Sequence, residues 1–263
     1  MPADSNRRSV VVITGASSGI GQAAAILALR GGARVAALGL APPSAPTGEW
    51  SAAEEAGDLL FAECDVRVEG DVEAAFARAS AALGPVTGAI CSAGIDTGAP
   101  SHELSMETWH KVVETNLTGT FLTCRAAIRS FRESGHPGAI VCISSPWSFV
   151  APRVGGAAAY AASKGGVSSL VRALSVEYAG AGIRVNAVTP GATETELMWA
   201  NVAPEDLAST RVKINEEVPF GRLADPEEPA RAALWLLGPE AGYITGANLT
   251  CDGGVLAAGV LTV

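Results

Sequence analysis

The sequence is poor in the side chains that hold metals, and it is short of positive charge. Only three histidines occur in 263 residues, His102, His110 and His136, and none stands at an H-E-x-x-H spacing. A histidine-built metal centre is not expected, and no metal ligand is assigned. Lys and Arg number 18 against 27 Asp and Glu, a net charge of −9. An acidic surface repels phosphate backbones and anionic lipids, so neither a nucleic acid nor a membrane is an expected partner. No apolar run approaches the ~18 residues that cross a bilayer. The five cysteines, Cys64, Cys91, Cys124, Cys142 and Cys251, include no C-x-x-C pair. They read as small buried hydrophobes in a reducing compartment rather than as disulfides. Arg7-Arg8 precedes an apolar run that Gly15 interrupts, too short for an export signal. A soluble, cytoplasmic protein is expected.

What is present is apolar and glycine-rich: 48% hydrophobic residues, 17% charged, and 30 glycines. That composition is globular, and the length suits one large α/β domain over 1–263. Residues 9–14 form a β-branched run and read as a buried strand. The run enters Gly15-Ala16-Ser17-Ser18-Gly19-Ile20-Gly21, a helix is expected over 22–30, and a second strand over 34–38. Strand, glycine turn, helix, strand is the context of a dinucleotide site. Gly15 permits the turn, and the helix start presents N–H groups to a pyrophosphate.

Further strands are expected at 59–64, 86–91, 139–144, 183–188 and 248–251, with helices between them. Residues 40–50 read as a Pro-rich loop and 192–224 as a long irregular lid. Asn116 falls inside a long helical segment, 105–133, where asparagine is a poor helix former. It is either an exposed polar position or a local break that turns the side chain into a site. Asp225-Pro226-Glu227-Glu228 is a strong helix start. The alternation predicts a doubly wound, seven-stranded, mainly parallel sheet with helices on both faces.

Tyr160 and Lys164 stand four residues apart, on one face of a predicted helix. An ammonium beside a phenol stabilises the phenolate, so the pair is a candidate general acid/base. Gly165 and Gly166 follow, and close packing by another helix or another subunit would explain them.

These pieces, in this order, resemble the short-chain dehydrogenase/reductase family over nearly the whole chain. Thr14-Gly15-x-x-x-Gly19-Ile20-Gly21 resembles its cofactor turn; Asn116, Ser145, Tyr160 and Lys164 match its catalytic tetrad. Asn186, Pro190-Gly191 and Asp252-Gly253-Gly254 match later signatures. The resemblance implies NAD or NADP and an alcohol or ketone substrate. Tyr160 would exchange the proton, Ser145 would hold the substrate oxygen, Lys164 the ribose, and Asn116 a relay water. Ser17, Ser18, Gly39, Asp65, Val66, Ala93, Gly94, Thr193 and Thr195 are expected to join the cofactor site. A homo-oligomer, a tetramer in most of the family, is expected, with the apolar tail 255–263 as one contact surface.

Three departures stand out. Ser92 replaces the family's asparagine before Ala93-Gly94. The link from Ser145 to Tyr160 is longer than usual, and its Trp147 and Phe149 are expected to wall the substrate pocket, as are Met198 and Trp199 in the lid. Gly39 and Leu40 offer neither the acid that selects NAD nor a cation that selects NADP. Weak discrimination with NAD modestly preferred is therefore expected. Pro152-Arg153 resembles the dehydrogenases that aromatise dihydrodiol acids, where Arg153 would meet a carboxylate; a solvated loop arginine is the alternative. Other readings are a β-ketoacyl thioester reductase and a non-catalytic cofactor sensor.

Overall fold

The computed structural model describes residues 8–152 and 155–258. Seven parallel strands form one sheet in the order β3-β2-β1-β4-β5-β6-β7. They are β1 Val10–Thr14, β2 Arg34–Gly39, β3 Leu59–Glu63, β4 Gly88–Cys91, β5 Gly138–Ile143, β6 Ile183–Pro190 and β7 Asn248–Cys251. The central β1 is buried at all five positions. Its side chains alternate between two cores, Val10 and Val12 to one and Val11 and Ile13 to the other. Each fully buried Val or Ile contributes about 1.5–3 kcal/mol.

Helices cover both faces. One core packs α3 (Glu69–Leu83), α5 (Gly119–Ser134) and α6 (Ala158–Tyr178) on the sheet through Phe76, Phe131 and Val171. The other packs α1 (Gly19–Arg30), α2 (Gly48–Glu55) and α9 (Glu227–Leu237) through Ala24, Trp50 and Leu236. The remaining helices, α4 (Met106–Val113), α7 (Glu196–Trp199) and α8 (Leu207–Glu217), follow the carboxyl ends of β4 and β6 in the chain.

Two expectations about loops need correction. The stretch read as a Pro-rich loop runs into α2, because Thr47 caps it by accepting the Trp50 N–H and Trp50 is only 1% exposed. The lid 192–224 is not irregular; it contains α7 and α8, whose weak apolar periodicity hides them in the sequence. The Asp225 start is as expected. Asp225 accepts the Glu227 N–H at 2.8 Å, and Glu228 accepts the Asp225 N–H at 2.8 Å.

Candidate active site

The strand order reverses between β1 and β4, which opens a crevice at their carboxyl ends. The glycine turn fills the β1 side of it. Gly15 (φ +66°) and Gly19 (φ +52°) adopt backbone that favours glycine, and a Cβ on Gly15 would fall 2.7 Å from the Ala93 nitrogen. The Thr195 methyl lies 3.1 Å from where a Gly19 Cβ would stand, so the lid's first helix meets the turn. Ser18 begins α1 without capping it by its side chain, and the first turn carries no acid. The N–H groups there are open to an anion.

On the other side stand β5 and α6. Lys164 is 5% exposed and donates to the Ile143 carbonyl at 2.7 Å. Its Nζ lies 5.7 Å from the Tyr160 ring centre. Burial lowers the lysine pKa to about 8, against opposing effects of Cys142, Asp96 and Cys91. Burial pushes the Tyr160 phenol up to about 12; the nearby Ser145 hydroxyl acts the other way, and the Asp96 charge adds to the rise. Desolvation thus outweighs any lowering by Lys164 while its ammonium is held by the Ile143 carbonyl. The ammonium is directed at Ile143, and desolvation governs the phenol. Ser145 also begins a short 3₁₀ turn, Pro146–Ser148, and accepts the Trp147 N–H at 3.3 Å.

Asn116 is fully buried in a five-residue π-helical turn, Glu114–Thr118, between α4 and α5. The wider turn, common at functional sites, points its amide inward. Its Oδ1 accepts the Ile95 N–H at 2.8 Å, while Nδ2 donates to the Ile95 carbonyl at 2.9 Å and to Ser163 Oγ at 3.1 Å. Gly94 stands at the junction: a Cβ there would lie 3.4 Å from Asn116 Oδ1 and 3.6 Å from Lys164 Nζ. The structure thus gathers Asn116, Ser145, Tyr160, Lys164 and Gly94.

Other expected residues take separate posts. Asp65 is engaged by Arg67, whose guanidinium donates to it at 2.6 Å, and Val66 is buried against Gly119. Gly39 ends β2 with the Ser17 hydroxyl where its Cβ would point, and Leu40 is exposed. Pro190 pairs with Cys251, while Gly191 packs against Asp252 so closely that a Cβ would fall 2.7 Å from its Cα. Thr193 is buried and Thr195 caps α7, accepting the Met198 N–H at 3.3 Å. Phe149 is exposed and Trp147 half-buried. Trp199 lines a groove of about 800 Å³ together with Gly19, Gln22 and Arg30. Its indole donates to Glu194 at 2.6 Å and Arg211 stacks over it at 4.7 Å. Trp199 therefore ties α7 to Glu194 and Arg211. Arg153 and residues 259–263 of the tail lie outside the described residues.

Sequence reasoning missed Asp96, Asn201 and the Glu194–Arg211 pair. Asp96 follows Gly94 closely enough to have been found. Three cysteines, Cys91, Cys124 and Cys142, meet beneath the site with Sγ atoms 3.8 and 3.7 Å apart; their burial is as expected, but they form a cluster that could hold a metal ion, which their spacing in the sequence does not reveal.

Residues 15–256 match the family model described as Enoyl-(Acyl carrier protein) reductase. The chain belongs to the short-chain dehydrogenase/reductase family. It is 38% identical to 3beta-hydroxysteroid dehydrogenase 1 of Eggerthella lenta, over 96% of this chain and 95% of that one. It superposes on ligand-free aldohexose dehydrogenase of Thermoplasma acidophilum with a TM-score of 0.86 at 28% identity, covering 98% and 97% of the two chains. It also superposes on a single-residue variant of actinorhodin polyketide ketoreductase with NADPH, TM-score 0.83 at 33% identity, covering 94% and 97%. This short-chain dehydrogenase/reductase is an enzyme that interconverts an alcohol and a ketone on a small-molecule substrate, with a nicotinamide dinucleotide as cofactor. The uncapped helix and the cradle of Gly15 and Gly19 fit a pyrophosphate. Among the described residues, no helix is long and apolar enough to cross a membrane.

Proposed function

We propose that Tyr160 is the acid/base of hydride transfer between a secondary alcohol and a nicotinamide dinucleotide. What supports this reading is Tyr160 beside Ser145, with Lys164 Nζ 5.7 Å from its ring centre and one helical turn away. The cofactor, when bound, supplies the hydride acceptor or donor. Ser145 holds the substrate oxygen, and its hydrogen bond strengthens as charge gathers on that oxygen. Tyr160 takes or gives the hydroxyl proton. Lys164, freed from the Ile143 carbonyl, holds ribose hydroxyls and its charge then lowers the phenol pKa. Asn116 positions Ile95 and, through Ser163, the start of the same helix. A relay water behind Lys164 belongs to the same reading.

The glycine turn with Ser17, Ser18 and Ile20 holds the pyrophosphate and adenosine. Asp65, Val66, Ala93 and Gly94 line the adenine and ribose side, and Pro190, Gly191, Thr193 and Thr195 the nicotinamide side. NAD is modestly preferred and NADP accepted, because Gly39 brings neither a repelling carboxylate nor a cation. Trp147, Phe149 and Met198 wall the substrate cleft, and Arg153 remains a candidate for a substrate carboxylate. The chain works as one cytoplasmic domain, with 192–224 as its lid, and as a homotetramer. The likeness to a polyketide ketoreductase favours a second reading, reduction of a β-ketoacyl thioester. Turnover of a panel of ring alcohols, ketones and β-ketoacyl thioesters with both cofactors tests the two. Activity on secondary alcohols or their ketones is expected; activity on thioesters alone would overturn the first reading.

A further inference from the structure

The acids around the crevice differ in how they are held. Asp65 is paired with Arg67, Glu194 with Arg211 and Glu228 with Arg222. Asp96 is half-buried, and among the described residues no donor hydrogen-bonds its carboxylate. Its place is nevertheless fixed. Ahead of it, Asn116 grips Ile95 by both N–H and carbonyl, at 2.8 and 2.9 Å. Its own carbonyl accepts from Asn201 Nδ2 of the lid at 2.8 Å. Just beyond, Gly98 packs so closely on the loop before α6 that a Cβ would collide with the Gly156 carbonyl oxygen. The segment is strapped on three sides.

Asp96 also lies near the reacting groups: it stands two residues after Gly94, where a Cβ would be 3.6 Å from Lys164 Nζ, and burial raises its own carboxyl with Lys164 opposing. A half-buried carboxylate without a protein donor keeps acceptor sites that a group entering the cleft can fill.

We propose that Asp96 is a specificity-determining residue, which accepts a hydrogen bond from a second hydroxyl or ammonium group of the substrate beside the reacting carbinol, and rejects an anionic group there. The proposal rests on Tyr160 marking the reaction centre. No covalent step is involved. Among alcohols, diols and amino alcohols should be preferred to simple alcohols and to hydroxy acids.

The test uses the enzyme with NAD bound. Dissociation constants and kcat/KM are measured for cyclohexanol, cyclohexane-1,2-diol, 2-aminocyclohexanol and 2-hydroxycyclohexanecarboxylate, in the wild type, Asp96→Asn and Asp96→Ser. The wild type should favour the diol or the amino alcohol over cyclohexanol by about tenfold, as for a hydrogen bond to a charged group. Both variants should lose that preference, chiefly in KM, and bind the hydroxy acid better than the wild type does. Preference for the diol shows a hydroxyl site, and preference for the amino alcohol an ammonium site; either supports the proposal. A preference unchanged in folded, NAD-binding variants, or a wild type that binds the hydroxy acid best, overturns it. Tyr160→Phe keeps the two readings apart. It should bind the diol as tightly as the wild type without turning it over, and turnover by it would sink the assignment of Tyr160 while the binding comparison still decides on Asp96.

Discussion

Tyr160→Phe removes one oxygen and leaves the ring to pack. Proton transfer by a placed side chain is worth roughly 10²–10⁴-fold, so kcat should fall at least about a hundredfold with the NAD dissociation constant nearly unchanged. A variant that keeps more than about a tenth of the wild-type rate would show that another group moves the proton. Lys164 makes a prediction about stability. Its pKa is about 8 in the folded chain against an ordinary 10.5. Between those values the unfolded chain binds more protons, so this residue makes stability rise with pH, by up to about 1.4 kcal/mol per pH unit. Urea midpoints of the wild type and Lys164→Met should diverge from pH 8 to 10, with the wild type gaining on the variant; a constant difference contradicts the assigned burial. At Gly39 a new Cβ meets chiefly the movable Ser17 hydroxyl, so Gly39→Asp should fold and sharpen the preference for NAD, chiefly by weakening NADP. Dissociation constants for both cofactors in both proteins check this, and an unchanged ratio would place the ribose elsewhere. The residues that carry the tetrad were legible in the sequence because their spacing sits on strong elements. The directions of their pKa shifts were not, since desolvation depends on what packs around α6.

At the scale of elements, legibility followed burial. β1, β5 and β6 are buried runs rich in β-branched residues, and the expected bounds of all seven strands agree with the observed ones to within about two residues. Asn116 announced a break in a long helix, and the structure places a π-helical turn there. Helices α2 and α8 escaped because neither carries a broad apolar stripe: α2 buries Trp50 alone, and α8 buries no residue fully. Gly166 meets Leu117 of the π turn, 2.7 Å from its would-be Cβ, whereas Gly165 has open space around it. Of the two glycines expected to be closely packed, Gly166 alone is thus explained within one chain. The segment 192–224, proposed as the lid, is tied down by Glu194, which joins Trp199 to Arg211, and by Asn201 on the Asp96 carbonyl. Few apolar contacts hold α8, so hydrogen exchange across 196–217 should be fast without ligand and slow at least about tenfold with NAD. Slow exchange in both states would remove the lid from the mechanism.

At the scale of the molecule, the sheet order sets the crevice and the crevice sets the chemistry. Glycine turn, Tyr160 helix and lid converge from three parts of the chain because parallel strands deliver all their carboxyl ends to one edge. Exposed Phe121, Val176 and Tyr243 and the open face of Gly165 are surfaces that another subunit would cover. Light scattering at micromolar concentration should give a tetramer, and a monomer would refute that expectation. If hydride leaves the carbinol carbon for the nicotinamide while Tyr160 takes the proton, a secondary alcohol deuterated at that carbon should leave one deuterium in the reduced cofactor and none in solvent, with no reduced cofactor formed by Tyr160→Phe in the same time. Deuterium released to water, or a Tyr160→Phe enzyme that labels the cofactor as fast as the wild type, would contradict it.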